Sequence, residues 1–165
     1  MIMGERLGWI RNVQNGLFRI ELRGKIVVTI QKCTIDDCEY LAELNKELIH
    51  AEGSDNPMTI REMEQRMKDF LQTFYEAYFF IERDRVVGYA LIKMDCAPLY
   101  LRQFLIIEEY RRRHYGEQAF RMLLSYMKTD SIDIEVLSNN YQGVKFWEKM
   151  GFVERHKYMR YKCNQ

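Results

Sequence analysis

Leu99-Tyr100-Leu101-Arg102-Gln103-Phe104-Leu105-Ile106-Ile107-Glu108-Glu109-Tyr110-Arg111-Arg112-Arg113-His114-Tyr115-Gly116-Glu117 runs from an apolar stretch through an arginine-rich turn and one glycine into an amphipathic segment. The pattern predicts a strand over 99–107 that feeds a helix through a short loop. A helix start carries unpaired N–H groups and a partial positive charge, so it binds phosphate without further devices. Arg111, Arg112 and Arg113 add cationic donors for the same ligand. A phosphorylated cofactor is the expected ligand.

Two common phosphate loops do not fit. A Walker-type loop needs Lys and Ser/Thr after its glycines, and a Rossmann loop needs three spaced glycines after a first strand. Here Gly116 stands alone, two-thirds of the way along the chain. The loop instead resembles the acyl-CoA loop of the GNAT N-acetyltransferase superfamily, Gln/Arg-x-x-Gly-x-Gly/Ala, read here as Arg111-Arg112-Arg113-His114-Tyr115-Gly116 with His114 in place of the first glycine. A second segment, from Ile134 to Phe152, resembles the same family. Asn140, Gly143, Phe146, Trp147, Glu148, Lys149, Gly151 and Phe152 fall in its register of a strand, an Asn, a small residue, an aromatic pair and Glu-Lys-x-Gly-Phe. The resemblance covers residues 27 to 162, and outside these two segments it rests on element order.

The resemblance implies an α/β fold with a mixed, mostly antiparallel central sheet flanked by helices. One parallel strand pair, formed by the strand before the loop and the next strand, splays apart to hold acetyl-CoA as acetyl donor. Carried over by motif, Leu105 and Ile106 would pair with the pantetheine arm. Arg111, Arg112, Arg113, His114, Tyr115, Gly116 and Glu117 would cradle the pyrophosphate, mostly through backbone N–H groups. A glycine takes positive φ at little cost and a histidine does not, so a helical φ is expected at His114. Asn140 would bond the cofactor, cap the following helix, or both. Family members often carry a tyrosine at the position of Trp147 to protonate the departing thiolate. Indole is a donor that does not titrate in this range, so Trp147 is expected to pack the cofactor arm or the core. A thiol pKa near roughly 8.5 lets the thiolate leave unaided; otherwise Tyr141, Tyr115 or Tyr158 could supply the proton. Tyr141 is taken as the catalytic candidate. For the general base, Glu135 is the candidate from the strand expected over 132–137. Glu52 and Asp55, beside Asn56, lie in the helix-helix loop that in the family covers the acceptor.

At 165 residues and net charge +1, the chain fits one domain with no global field for nucleic acid or an anionic membrane. Cys33, Cys38, Cys96 and Cys163 form no Cys-x-x-Cys pair, and the three histidines are scattered; reduced thiols, a cytoplasmic location and no metal site are expected. No apolar stretch approaches the roughly 20 residues that span a bilayer.

Residues 1–24 read as an extension ahead of a 25–165 domain. Trp9-Ile10-Arg11 and Leu17–Leu22 flank the hairpin dipeptide Asn15-Gly16, as a hairpin or the arm of a homodimer. Then come a strand at 26–30 and a helix capped by Thr34 with Cys38, Leu41, Leu44 and Leu48 on one face. A helix follows behind the Thr59-x-x-Glu62 capping box, with Met63, Met67, Phe70 and Phe74 as its stripe. Strands at 78–81 and 86–92 meet at an Arg83-Asp84 turn. A helix with Ala119, Leu123 and Met127 inward, a helix over 143–150 and a last strand over 158–163 complete the layout. The expected activity is direct transfer of an acetyl group to a primary amine on a small molecule or peptide, with no covalent intermediate. The alternative is an acyl-CoA-binding module without catalysis, and a nucleic-acid-binding domain is disfavoured by the near-neutral charge.

Overall fold

The computed structural model describes residues 17–19, 28–157, 159 and 161. Among the described residues six strands form one sheet in simple sequence order: β1 (Leu17–Arg19), β2 (Thr29–Lys32), β3 (Tyr75–Glu82), β4 (Arg85–Lys93), β5 (Leu99–Ile106) and β6 (Ile132–Ile134). Neighbours are antiparallel except β5 and β6, which run parallel. A parallel pair needs a crossover, and α3 (Tyr115–Met127) supplies it. The mixed sheet with one parallel pair is the expected architecture.

Alternation along the strands divides the core between two faces. Val28, Ile30, Tyr78, Phe80, Ala90, Ile92, Leu101 and Ile106 face α3 and α4 (Tyr141–Lys149). Ala77, Phe79, Tyr89, Leu91 and Leu105 face α1 (Cys38–Ala51) and α2 (Ile60–Leu71). Thr59 and Glu62 close the capping box that starts α2. Arg83 and Asp84 both take positive φ, +47° and +63°, the backbone of the tight turn expected between β3 and β4.

Local boundaries differ from the sequence expectations. A 3-10 turn over Ile35–Asp37 intervenes between Thr34 and α1. α2 ends at Leu71, so Phe74 falls in the turn to β3 and is 64% exposed rather than part of the stripe. β6 stops at Ile134, and α4 starts at Tyr141 because Asn140 caps it two residues earlier than Gly143. Trp9–Arg11, the Asn15-Gly16 turn and Cys163 lie outside the described residues. So does the strand over 158–163 apart from the exposed Met159 and Tyr161. Leu17–Arg19 pairs with β2 as an edge strand. Among the described residues, Cys33, Cys38 and Cys96 are free thiols, and no helix is long and apolar enough to cross a membrane.

Candidate active site

β5 and β6 pair only over Leu99↔Ile132, Tyr100↔Asp133 and Leu101↔Ile134. β5 continues to Ile106, still paired to β4 through Gly88↔Ile106. Beyond Leu101 its other edge has no strand beside it among the described residues, so the sheet opens there into a gap. The alternation of antiparallel pairing fixes which groups face that gap. Ile107 N–H donates to the Val87 carbonyl at 3.0 Å, so Leu105 and Gln103, two and four residues back, also turn their backbone toward β4. Phe104 and Ile106 turn theirs toward the gap. Leu105, from which a backbone contact to the cofactor arm is expected, thus turns its backbone to β4 and contributes a buried side chain. The Ile106 carbonyl already accepts from Arg111 Nε at 2.7 Å, which leaves Ile106 its N–H.

The loop after β5 ends in α3. Tyr110 and Arg111 still donate backward, to Ile107 and Glu108, and Gln118 makes the next bond, to His114. Between them the N–H groups of residues 112 to 117 have no hydrogen-bond acceptor among the described residues. Arg112 and His114 sit in the left-handed region, φ +58° and +64°, and such alternation folds successive N–H groups into an anion-binding concavity at the positive end of the helix. The helical φ expected for His114 is thus overturned: an N-cap that must turn the chain into α3 here needs positive φ.

The side chains of this loop divide their work. Arg111 is committed inward, its Nη2 lying 3.1 Å from Glu47 on α1, and Glu47 also accepts the Glu108 N–H at 2.9 Å. Arg112 and His114 are exposed, and the Arg113 guanidinium lies over the Tyr115 ring at 5.6 Å. Tyr115 is buried and donates to Glu82; burial first, then that carboxylate, push its hydroxyl up to about 12. Glu117 accepts from Arg121 and pairs with Lys149 of α4, and the Arg121 hydrogen bond leads the causes that hold its carboxyl below the usual range. Gly116 permits a close approach of α3 to α4, because a Cβ there would stand 3.1 Å from the Phe146 ring.

On the far side of the gap, Asn140 Oδ1 accepts the Gly143 N–H at 2.9 Å and caps α4. Trp147 lies in an aromatic cluster, its ring 5.2 Å from Phe104, 5.2 Å from Phe120, 4.7 Å from Phe146 and 5.1 Å from Phe152. It is a packing residue behind β5. Gly53, in the α1–α2 loop, comes close enough that a Cβ would be 3.6 Å from Asn139. That loop therefore reaches across to the segment between β6 and α4.

Residues 39–152 match the Acetyltransferase (GNAT) family. The chain belongs to that family. Acyl transfer with acetyl-CoA as donor comes with the membership, and six free N–H groups at a helix start suit its pyrophosphate. Among solved structures, the fold is similar to a possible acetyltransferase from Clostridium difficile 630 (TM-score 0.66, 16% identity, 86% of this chain and 100% of that one). It is also similar to the aminoglycoside N-acetyltransferase AAC(6')-Iy in complex with CoA (0.64, 14%, 88% and 100%). A predicted acetyltransferase with acetyl-CoA from Clostridium acetobutylicum aligns as well (0.65, 15%, 82% and 96%). No curated protein matches the sequence.

In this acetyltransferase the sheet face under α1 and α2 carries a polar chain that the sequence expectations did not include. Arg66 Nη2 donates to Asn45 Oδ1, Asn45 Nδ2 to the Tyr89 hydroxyl at 3.2 Å, and Tyr89 to Gln103 Oε1 at 3.0 Å. Asn45 is the one buried polar residue among those described, and Tyr89 is fully buried. The available signal was a polar residue at an interior position: Asn45 among Leu41, Leu44 and Leu48, Arg66 beside Met67, Gln103 inside the β5 apolar run. Glu52, at the end of α1, is half-buried, and burial raises its carboxyl above the usual range. Glu135 is not central in a strand. It is exposed just past β6, where the two parallel strands diverge, and interacts with Tyr100, whose hydroxyl burial and Glu135 push up to about 12. Tyr141 opens α4 and is 73% exposed.

Proposed function

We propose that this acetyltransferase moves the acetyl group of acetyl-CoA onto the primary amine of a small acceptor bound on the α1/α2 side of the gap. The observation that carries the reading is the opening of β5 from β6 after Leu101, next to a helix start with unpaired N–H groups. The N–H groups of residues 112 to 117 hold the pyrophosphate, and the backbones of Phe104 and Ile106 hold the pantetheine arm. Acetyl-CoA supplies an acyl carbonyl activated as a thioester. The acceptor ammonium must lose a proton before it attacks. Glu52 suits that task, because burial raises its carboxyl above the usual range and with it the affinity for a proton. Tyr115 is committed to Glu82, which makes Tyr141, at the carboxyl end of the gap, the proposed donor to the departing thiolate. Free thiols among the described cysteines suit a cytoplasmic setting. The 1–24 extension, with Trp9 and Ile10, is proposed as a homodimer arm, which removal of residues 1–16 and the solution mass would test.

Thermal unfolding with acetyl-CoA, against ATP and NAD as controls, tests the donor site. At about 100 times its dissociation constant, acetyl-CoA should stabilise the fold by roughly 2.7 kcal/mol. The absence of any shift would sink the reading. A shift with no thiol release for any amine would instead favour a binding module, for which Trp147 at the usual tyrosine position is the supporting observation.

A further inference from the structure

The polar chain under α1 and α2 has a direction, and its chemistry fixes that direction. A guanidinium donates and never accepts, so Asn45 must present Oδ1 to Arg66 and its amide NH₂ to Tyr89. The Tyr89 oxygen accepts that bond, and its single proton goes to Gln103, which must present Oε1. Each residue thus orients the next, and the Gln103 NH₂ is left as a donor, two residues past the last β5–β6 pair.

Two further cationic donors stand beside it. The Arg102 guanidinium lies 5.0 Å over the Phe70 ring, and Phe70 is one helical turn from Arg66 on the same face of α2. The two arginines are close enough that the charge of Arg102, after burial, depresses the pKa of Arg66. Arg66 Nε is buried without a hydrogen-bond partner, and neither arginine has an ion pair among the described residues. Like charges gathered beside the opened edge of β5, with only the neutral Asn45 oxygen accepting from Arg66 and no carboxylate paired to either arginine among the described residues, lack an anion to complete them.

We infer that the acceptor carries a carboxylate as well as its amine, the carboxylate bound by Arg102, Arg66 and the Gln103 NH₂ and the amine directed toward Glu52. An amino acid is the simplest such molecule. The same arginine pair repels polycationic acceptors, polyamines and aminoglycosides among them. The inference rests on the acetyltransferase reading and narrows it.

The test is thiol release from acetyl-CoA by the full chain with α- and ω-amino acids and short peptides, each matched to its C-terminal amide, and with spermidine and kanamycin. At least one acid should exceed its amide by about tenfold or more in kcat/KM, the worth of one charge-assisted hydrogen bond. Arg102 is exposed, so Arg102→Gln should fold; it should bring that ratio near one and leave the acetyl-CoA thermal shift intact. Free amino acids and peptides in separate arms show which source supplies the carboxylate. Amides or polycations used as well as acids overturn the inference, as does a lack of turnover with every acid by a protein that acetyl-CoA still stabilises. Loss of the acetyl-CoA shift in Arg102→Gln would assign the arginines to the donor and overturn it too. A wild-type chain that acetyl-CoA fails to stabilise brings down the acetyltransferase reading itself.

Discussion

His114 holds φ +64° at the mouth of α3, a conformation in which an L side chain crowds the following carbonyl. The family's glycine avoids that strain, at the cost of a more disordered unfolded chain. His114→Gly should therefore raise stability by about 0.5–1 kcal/mol, read as a higher urea midpoint; an unchanged or lower midpoint would show that the histidine stabilises the turn in some other way. Glu52 offers a pH test. Its folded pKa lies above its unfolded value because burial disfavours the carboxylate. Its favourable contribution is complete below the unfolded pKa of about 4.5, where the carboxyl is neutral in both states, and is lost as pH rises through the folded value. Glu52→Gln is neutral throughout, so it should melt higher than wild type at pH 8 and alike at pH 4. It should also lose thiol release at pH 8, a stability gain joined to an activity loss. A variant that melts alike at both pH values would mean that Glu52 ionises as freely folded as unfolded.

α4 shows how one side chain sets an element. Asn140 Oδ1 takes an N–H that α4 would otherwise leave unpaired. Asn140→Ala should cost about 1 kcal/mol, and Asn140→Ser should recover most of it. If Asn140 only caps, both variants keep the acetyl-CoA thermal shift; if it also touches the donor, the shift shrinks in Ser as well as Ala. The helix and its cap were legible from the Asn140…Gly143 spacing, since capping is a local hydrogen bond. The end of β6 was not. Ile132 to Leu137 has strand composition, yet the ladder stops at Ile134 because β5 and β6 diverge, and divergence is a property of two strands rather than one. For the same reason Glu135 sits outside the sheet.

At the scale of the molecule, the described sheet has β1 at its edge, three residues paired to β2. Removing residues 1–24 strips that pairing and leaves β2 as a bare edge, a template for association with another chain. The trimmed protein should melt lower and scatter more light on standing than the full chain, whereas equal melting and scattering would make β1 dispensable. The order of the described elements, the strand–loop–helix unit from β5 to α3, the parallel pair and the family were all determined by the sequence alone. They depend on periodicity, caps and short motifs, whose physics acts over a few residues. Tertiary structure decided what lies between distant segments. It turned the Leu105 backbone to β4 and that of Phe104 to the gap, committed Arg111 to Glu47 and Tyr115 to Glu82, and put Trp147 among phenylalanines. It also joined Arg66, Asn45, Tyr89 and Gln103 into one directed chain. Such hydrogen bonds and contacts depend on distances of a few ångströms between side chains up to tens of residues apart, and only packing of the folded chain sets those distances.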